Sequence, residues 1–167
     1  MKIVYIAIFV LLVQSIFSQV ALKEGDTAPA FSLLSDEGKI ISLSDYKDKQ
    51  TVVLYFYPKD FTSGCTKQAC NFRDNISGIE QYNAVVLGVS VDNTESHKKF
   101  KKEHNLNFIL LADTAKEVSQ QYSGLNQNRL SSRVTFIIDK NGIIKKIYPN
   151  VNVNDNYAEI IEYLKGM

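Results

Sequence analysis

The chain has two cysteines, so at most one internal bridge is available and a disulfide-dense scaffold is excluded. Proline is scarce, at three residues, and the eight glycines are scattered. No Pro/Gly/Ser-rich linker, repeat or low-complexity tract divides the residues after Ser18, and a single domain is expected. No charge of one sign dominates: 19 Lys and Arg face 18 Asp and Glu, a formal net charge of +1. A near-neutral domain has no global field to gather nucleic acid or anionic lipid, so neither is expected as a partner. What remains is a globular composition, 45% hydrophobic and 22% charged over 167 residues, which excludes wholesale disorder. That length supports one sizeable core and not two ordinary domains.

A hydrophobic run of membrane-spanning length is also missing. The apolar stretch Ile3 to Val13 follows Met1-Lys2 and falls short of the roughly 18 to 20 residues a crossing helix needs. With Gln14 to Ser18 after it, residues 1–18 read as a secretory signal peptide, and 19–167 as the mature domain. An uncleaved N-terminal anchor is the alternative. The cut removes Lys2 and no acid, so the mature domain is formally neutral. No cysteine stands near the cut, so no lipid-modified amino terminus is expected. The expected location is a bacterial periplasm, where disulfides persist, with no stable membrane association after cleavage.

Along the rest of the chain, Phe31–Leu34 and Lys39–Leu43 flank Asp36-Glu37-Gly38 and read as an N-terminal β-hairpin. Val52–Tyr57 and Ala84–Val91 are continuous β-branched and aromatic runs, the pattern of strands covered on both faces. A helical crossover from about residue 63 to 82 joins them as a parallel βαβ unit. A helix over 94–104, a short strand 108–111 and a short helix 115–122 follow. Val134–Ile138 and Ile143–Tyr148 flank Asn141-Gly142, the strongest short hairpin signal, and are expected to be antiparallel. A last helix over 155–164 would place Tyr157, Ile160, Ile161 and Leu164 on one face. The expected fold is α/β: a mixed sheet, parallel in one half and antiparallel in the other, with helices on both faces.

The chemistry concentrates in Pro58–Cys70 (PKDFTSGCTKQAC), between a central strand and a helix, at the sheet edge where ligands collect in open α/β folds. Cys65 would lie in the helix's first turn, where free backbone N–H groups and the dipole favour a thiolate. Thr62 can aim its hydroxyl at the same sulfur, making Cys65 a plausible nucleophile. A static Cys65–Cys70 bridge meets a geometric objection. Residues five apart on a helix differ by about 140° and lie roughly 8 to 9 Å apart at Cα, whereas a disulfide rarely tolerates more than about 7 Å. A pair that bridges only when the helix unwinds suits a redox cycle, although a structural bridge or two unpaired thiols stay open at this point.

The segment YFYPKDFTSGCTKQACNFRD resembles the active-site stretch of the peroxiredoxins, in the bacterioferritin-comigratory-protein or PrxQ branch. Pro58, Thr62 and Cys65 match the family's Pro-x-x-x-Thr-x-x-Cys motif, and Cys70 matches the branch's resolving cysteine. The likeness continues through Gly25-Asp26-x-Ala28-Pro29-x-Phe31, Gly88–Asp92 with Ser96–Phe100, and Arg133-x-Thr135–Asp139, and covers essentially residues 22–165. The resemblance implies a thioredoxin-like fold and a thiol peroxidase without metal, haem or flavin, acting on hydrogen peroxide and organic hydroperoxides. Cys65 would be the peroxidatic cysteine and become a sulfenic acid. Thr62 would hydrogen-bond the thiolate and the peroxide, Pro58 would shield the pocket, and Arg133 would stabilise the thiolate and the charge on the leaving oxygen. Cys70 would close a disulfide that thioredoxin, or a periplasmic thioredoxin-like donor, reduces. A monomer is expected. Two positions depart from the branch. Ser63 stands where proline is frequent, which a good capping residue absorbs. Gln68 stands where glutamate is usual, keeping hydrogen-bonding capacity without the charge that could orient the arginine.

Two other readings remain: an exported thioredoxin-like thiol–disulfide oxidoreductase, which would normally carry Cys-x-x-Cys, and a non-enzymatic exported domain with a structural disulfide. On position alone Arg133 is a surface arginine. His97 and His104 share a helical face without a completing ligand set and are expected to be solvated. Lys98, Lys99, Lys101 and Lys102 read as a wet helix face. The Asn75-Ile76-Ser77 sequon falls inside a predicted helix and is attributed to chance. Tyr55-Phe56-Tyr57 reads as core, with one ring lining the pocket.

Overall fold

The computed structural model describes residues 21–167; the segment read as a signal peptide, together with Gln19 and Val20, lies outside the described residues. The elements are β1 (Ser32–Ser35), β2 (Ile40–Ser42), a 3-10 turn (Leu43–Tyr46), β3 (Thr51–Phe56), α1 (Ser63–Asp74), α2 (Ile76–Glu80) and β4 (Ala84–Ser90). α3 (Thr94–His104), β5 (Ile109–Ala112), α4 (Glu117–Tyr122), β6 (Val134–Ile138), β7 (Ile144–Tyr148) and α5 (Asn156–Lys165) follow.

These strands form one seven-stranded sheet in the order β2-β1-β5-β4-β3-β6-β7. β3 pairs parallel with β4, and β4 with β5, as the buried apolar runs require. β6 pairs antiparallel with β3, and β7 with β6, around the Asn141-Gly142 turn. The expectation of two halves needs correction at the other edge: the N-terminal hairpin docks there, β1 antiparallel to β5. The parallel trio is therefore central and flanked by antiparallel strands on both sides. The hairpin cannot join β3, because both edges of β3 are already taken by β4 and β6.

Strand alternation divides the core into two layers. Val53, Tyr55 and Tyr57 point to one face, where they meet Phe72 of α1, Ile79 of α2, Phe100 of α3, and Ile160 and Leu164 of α5. Val52, Leu54 and Phe56 point to the other, against Val118 and Tyr122 of α4 and Leu43 of the 3-10 turn. Tyr55 needs a glycine beside it. Its register partner on β4 is Gly88, and a Cβ there would lie 2.8 Å from the Tyr55 ring.

The crossover expected as one helix over 63–82 is broken into α1 and α2 at Asn75, which leaves helical geometry at φ −117°, ψ 16°. Its side-chain amide donates to the Asn71 carbonyl at 3.0 Å, one of the carbonyls the end of α1 exposes. The short helix begins two residues later than expected, because Lys116 sits in the left-handed region at φ 65°.

Candidate active site

β3 runs straight into the site. Tyr57 continues its ladder through N–H to Val89 O at 3.0 Å, and residues 58–62 then turn the chain into α1. Thr62 is the residue before the helix, and its carbonyl accepts the first helical bond, from Thr66 N–H at 2.8 Å. Ser63, expected to cap, is instead the first helical residue. Cys65 is third, in the turn whose N–H groups have no helical partner, so its sulfur lies at the positive end of α1.

That sulfur is almost sealed, with Cys65 at 1% exposure, and both cysteines are free. Arg133 supplies its main polar contact: Nη2 donates to Sγ at 3.2 Å. Arg133 arrives there through sheet register. Phe56 is paired with Val134, so the residue before β6 stands beside the chain leaving β3. The same guanidinium donates through Nη1 to Gln68 Oε1 at 2.6 Å. Gln68 thus orients the arginine as a neutral acceptor, the part a carboxylate would otherwise play. Its own Nε2 faces Asn156 Oδ1 at 3.4 Å, and Thr135 Oγ1 donates to that oxygen at 3.0 Å. Gln68, Thr135 and Asn156 are all buried, so this chain from Arg133 to the start of α5 is shielded from competing water. Thr135 lies in the quoted Arg133-x-Thr135 stretch, whereas nothing in the sequence marks Asn156.

Thr62 does not donate to the sulfur in this structure. Its one hydroxyl hydrogen goes to Lys59 O at 3.0 Å, so a bond to Cys65 or to an incoming molecule needs a side-chain rotation. Pro58 is half-buried at the start of the same loop. Cys70 lies in the unbroken helix with Cys65, off the stripe formed by Cys65, Gln68, Ala69 and Phe72 that α1 buries. Of the aromatic run, Tyr55 and Tyr57 share the sulfur's layer and stack at 5.3 Å between ring centroids. Burial raises both phenols well above their ordinary range, so they remain neutral.

His97 overturns the expectation of a solvated face, being fully buried. Its Nδ1 lies 2.9 Å from Asp60 Oδ2, and its Nε2 lies 3.1 Å from Leu111 O. The Asp60 carboxylate also accepts from Tyr57 Oη and Ser96 Oγ, both at 2.7 Å, and the Asp60 N–H donates to Asp92 at 2.9 Å. This network fastens the loop ahead of Cys65 to β3, β4 and α3. Its loop member Phe61 is held at φ 60°, a conformation that bulky residues avoid unless their neighbours impose it. The sequence signal was available: His97 and Phe100 are three apart on α3, and Phe100 is core. His104 is partly covered, its ring 5.0 Å from that of Phe100. Lys98, Lys99 and Lys102 are exposed as expected, while Lys101 reaches across to the buried Asp36 at 2.8 Å. Among the described residues, no group of three or more His, Cys, Asp or Glu side chains is placed to hold a metal ion.

Comparison with known proteins agrees with this geometry. Residues 24–147 match the AhpC/TSA family. The chain is 42% identical to peroxiredoxin Bcp of Bacillus subtilis over 156 residues, covering 86% of this chain and 95% of that one. It is 44% identical to the chloroplastic peroxiredoxin Q of Sedum lineare over 138 residues, 81% of this chain and 73% of the other. Among solved structures, peroxidoxin BcpB of Mycobacterium tuberculosis superposes with a TM-score of 0.81 at 29% identity, covering 87% of this chain and 98% of that one. A cysteine-to-serine mutant of Xylella fastidiosa PrxQ gives 0.82 at 29% identity, with 88% and 98% covered. These matches run through the sheet, the Cys65 turn and the strand that delivers Arg133, and they place the chain in the AhpC/TSA family as a Bcp/PrxQ-type peroxiredoxin, a peroxidase oxidoreductase.

Proposed function

We propose that the chain is an exported, monomeric thiol peroxidase that reduces hydrogen peroxide and organic hydroperoxides through Cys65 and Cys70. The observation that carries this reading is the Arg133 guanidinium 3.2 Å from a buried sulfur at the start of a helix that also holds Cys70. The Cys65 thiolate attacks the terminal peroxide oxygen, the O–O bond breaks, and sulfur keeps the OH as a sulfenic acid. The departing oxygen takes a proton and leaves as water or alcohol. Arg133 has N–H groups directed at the sulfur, next to where charge moves from sulfur to oxygen. Thr62, once rotated away from Lys59 O, orients the peroxide, and Pro58 limits water at the mouth of the site. Cys70 then attacks the sulfenic sulfur after the first turns of α1 loosen, and a thioredoxin-like donor reduces the bridge.

The burial of Cys65 favours a small peroxide over a protein disulfide, which supports this reading over a thiol–disulfide oxidoreductase. Two free cysteines on an intact helix weigh against a structural bridge.

Cys70→Ser tests the second half-reaction. One equivalent of peroxide is expected to be consumed, after which turnover with a dithiol donor stops and a dimedone adduct accumulates on Cys65. Continued cycling in this variant would remove Cys70 from the mechanism. Export is checked on the protein recovered outside the cytoplasm. Its intact mass is expected to correspond to a chain beginning at Gln19, and retention of residues 1–18 would favour the anchor.

A further inference from the structure

The guanidinium that touches Cys65 is held by two amides whose orientation is forced. A guanidinium only donates, so the end of the Gln68 side chain that meets Arg133 has to be its oxygen, and Oε1 lies 2.6 Å from Nη1. The other end, Nε2, then needs an acceptor. Asn156 Oδ1, at the start of α5, lies 3.4 Å from it. Thr135 Oγ1 on β6 donates its one hydrogen to the same oxygen at 3.0 Å. Two donors therefore converge on one carbonyl oxygen, and the opposite end of that amide goes without. Asn156 Nδ2 is buried and has no hydrogen-bond partner among the described residues. Turning the Asn156 amide over would set Nδ2 against Gln68 Nε2, donor against donor. A buried donor left unpaired is costly, yet this orientation stands because two donors need the oxygen.

Resting on the peroxidase reading of Cys65, we propose that Asn156 is a positioning residue for peroxide reduction. Its carbonyl oxygen fixes which way the Gln68 amide faces, and Gln68 in turn holds the Arg133 guanidinium against the Cys65 sulfur. Without an acceptor at position 156, Gln68 loses the partner that distinguishes its two ends. Its amide can then turn the NH2 group toward a guanidinium that has only N–H groups to offer, and the two donors push apart. Arg133 keeps its charge but loses the anchor on Nη1, and Nη2 is no longer held at 3.2 Å from Sγ. A step that depends on a preorganised donor responds strongly to a displacement of about an ångström.

The surroundings of Asn156 suit that part. Its backbone N–H donates to Asn152 O at 3.0 Å, which sets the first residue of α5 against the preceding loop. That loop is fastened to α1, where Asn71 Nδ2 donates to the Val153 and Asn154 carbonyls at 2.8 and 3.3 Å. Asn71 follows Gln68 by three residues, the spacing of neighbours on a helix surface. The amide at 156 is thus held in place relative to the helix that carries both Cys65 and Gln68. Thr135 belongs to the strand that delivers Arg133, two residues further on, so the hydroxyl that orients Asn156 moves with the arginine.

The test measures Cys65 oxidation on the full chain by rapid quench with hydrogen peroxide and mass spectrometry, with thermal melts alongside. Asn156→Leu, similar in size and without polar side-chain atoms, is expected to slow this step about tenfold. Asn156→Asp keeps the shape and accepts from both Gln68 and Thr135, and is expected to stay within about threefold of wild type. A double-mutant cycle with Arg133→Met shows whether the effect runs through the arginine. With Arg133 already gone, Asn156→Leu should slow oxidation by less than about twofold more. A wild-type rate in Asn156→Leu overturns the proposal. So does slowing in Asn156→Asp equal to that in Asn156→Leu, or losses that multiply in the double variant, since either would make Asn156 a general support of the fold. Should Asn156→Leu fail to fold, Thr135→Val removes the hydroxyl that orients Asn156 and enters the same cycle. It is expected to slow oxidation about threefold beside Arg133 and not at all beside Arg133→Met, and a wild-type rate overturns the proposal. A wild-type chain that forms no oxidised Cys65 is a different result: it ends the peroxidase reading itself, and this proposal with it.

Discussion

Cys65→Ser is expected to lose peroxidase activity by at least about ten-thousandfold, because a serine hydroxyl in this position stays protonated and is a far weaker nucleophile than a thiolate. The substitution changes little else. Serine is slightly smaller than cysteine, the site is already lined by Arg133 and Gln68, and Arg133 Nη2 can donate to an oxygen as readily as to sulfur. The loss should therefore appear without unfolding, which a thermal melt alongside a coupled peroxide-consumption assay would establish. Peroxide consumption at the wild-type rate in a folded Cys65→Ser protein would end the assignment of this sulfur, and with it the mechanism built on Arg133. Under the same reading the variant should yield no sulfenic acid with a dimedone probe, although Cys70 is still present.

Arg133→Met is the second large effect. Methionine has a similar length and no N–H groups, so it keeps much of the packing while removing the donor 3.2 Å from the sulfur. Removing one preorganised donor at a site where charge develops typically costs about a hundredfold to a thousandfold in rate. The variant's second-order rate constant for Cys65 oxidation is expected to fall in that range, measured by stopped-flow mixing with peroxide. A stability cost of about 1–3 kcal/mol should accompany it, because the buried Gln68 Oε1 loses the partner that now lies 2.6 Å away. Arg133→Lys should recover only part of the rate, since a single ammonium cannot reproduce a planar fork that reaches Sγ and Oε1 together. Oxidation of Arg133→Met at the wild-type rate would show that the helix turn alone activates Cys65.

These two variants separate what was legible along the chain from what was not. The helix turn was legible: a strand of apolar residues, a breaker at Pro58, and a cysteine close after Thr62 dictate a nucleophile at the start of a helix, and α1 begins at Ser63. The distance of Cys70 from Cys65 followed from the same local rule, since five helical residues carry a side chain off the face of the first. The arginine was not legible in that way. On position alone Arg133 belonged on the surface; only its place in a family motif suggested the site. Sheet register decides the matter, because pairing Phe56 with Val134 brings together residues separated by 68 positions in Arg133 and Cys65.

His97 teaches the converse lesson. Its neighbours in sequence are lysines, and its helix is mostly polar, so local composition argued for water. Its partner Asp60 lies 37 positions away, and neither residue alone signals that the other will satisfy it. Together they are buried, and removing either would cost the other its 2.9 Å partner, while Asp60 would keep Tyr57 and Ser96 and His97 would keep the Leu111 carbonyl. The break at Asn75 is intermediate. Residue preference allowed a continuous helix, but α2 packs against α5, with Gly78 so close to the Ile161 side chain that a Cβ would lie 2.8 Å from it.

Residue type and short-range periodicity were enough for the elements, the two apolar layers and the placement of both sulfurs on one helix, because each of these depends on neighbours a few positions apart. They were not enough to set Arg133 against Cys65, to steady Gln68 with Asn156, or to cap the β5 edge with the hairpin. Those outcomes arise from strand order and register, where a contact depends on which distant segments pair. Local periodicity carries no information about that choice; only the assembled sheet does.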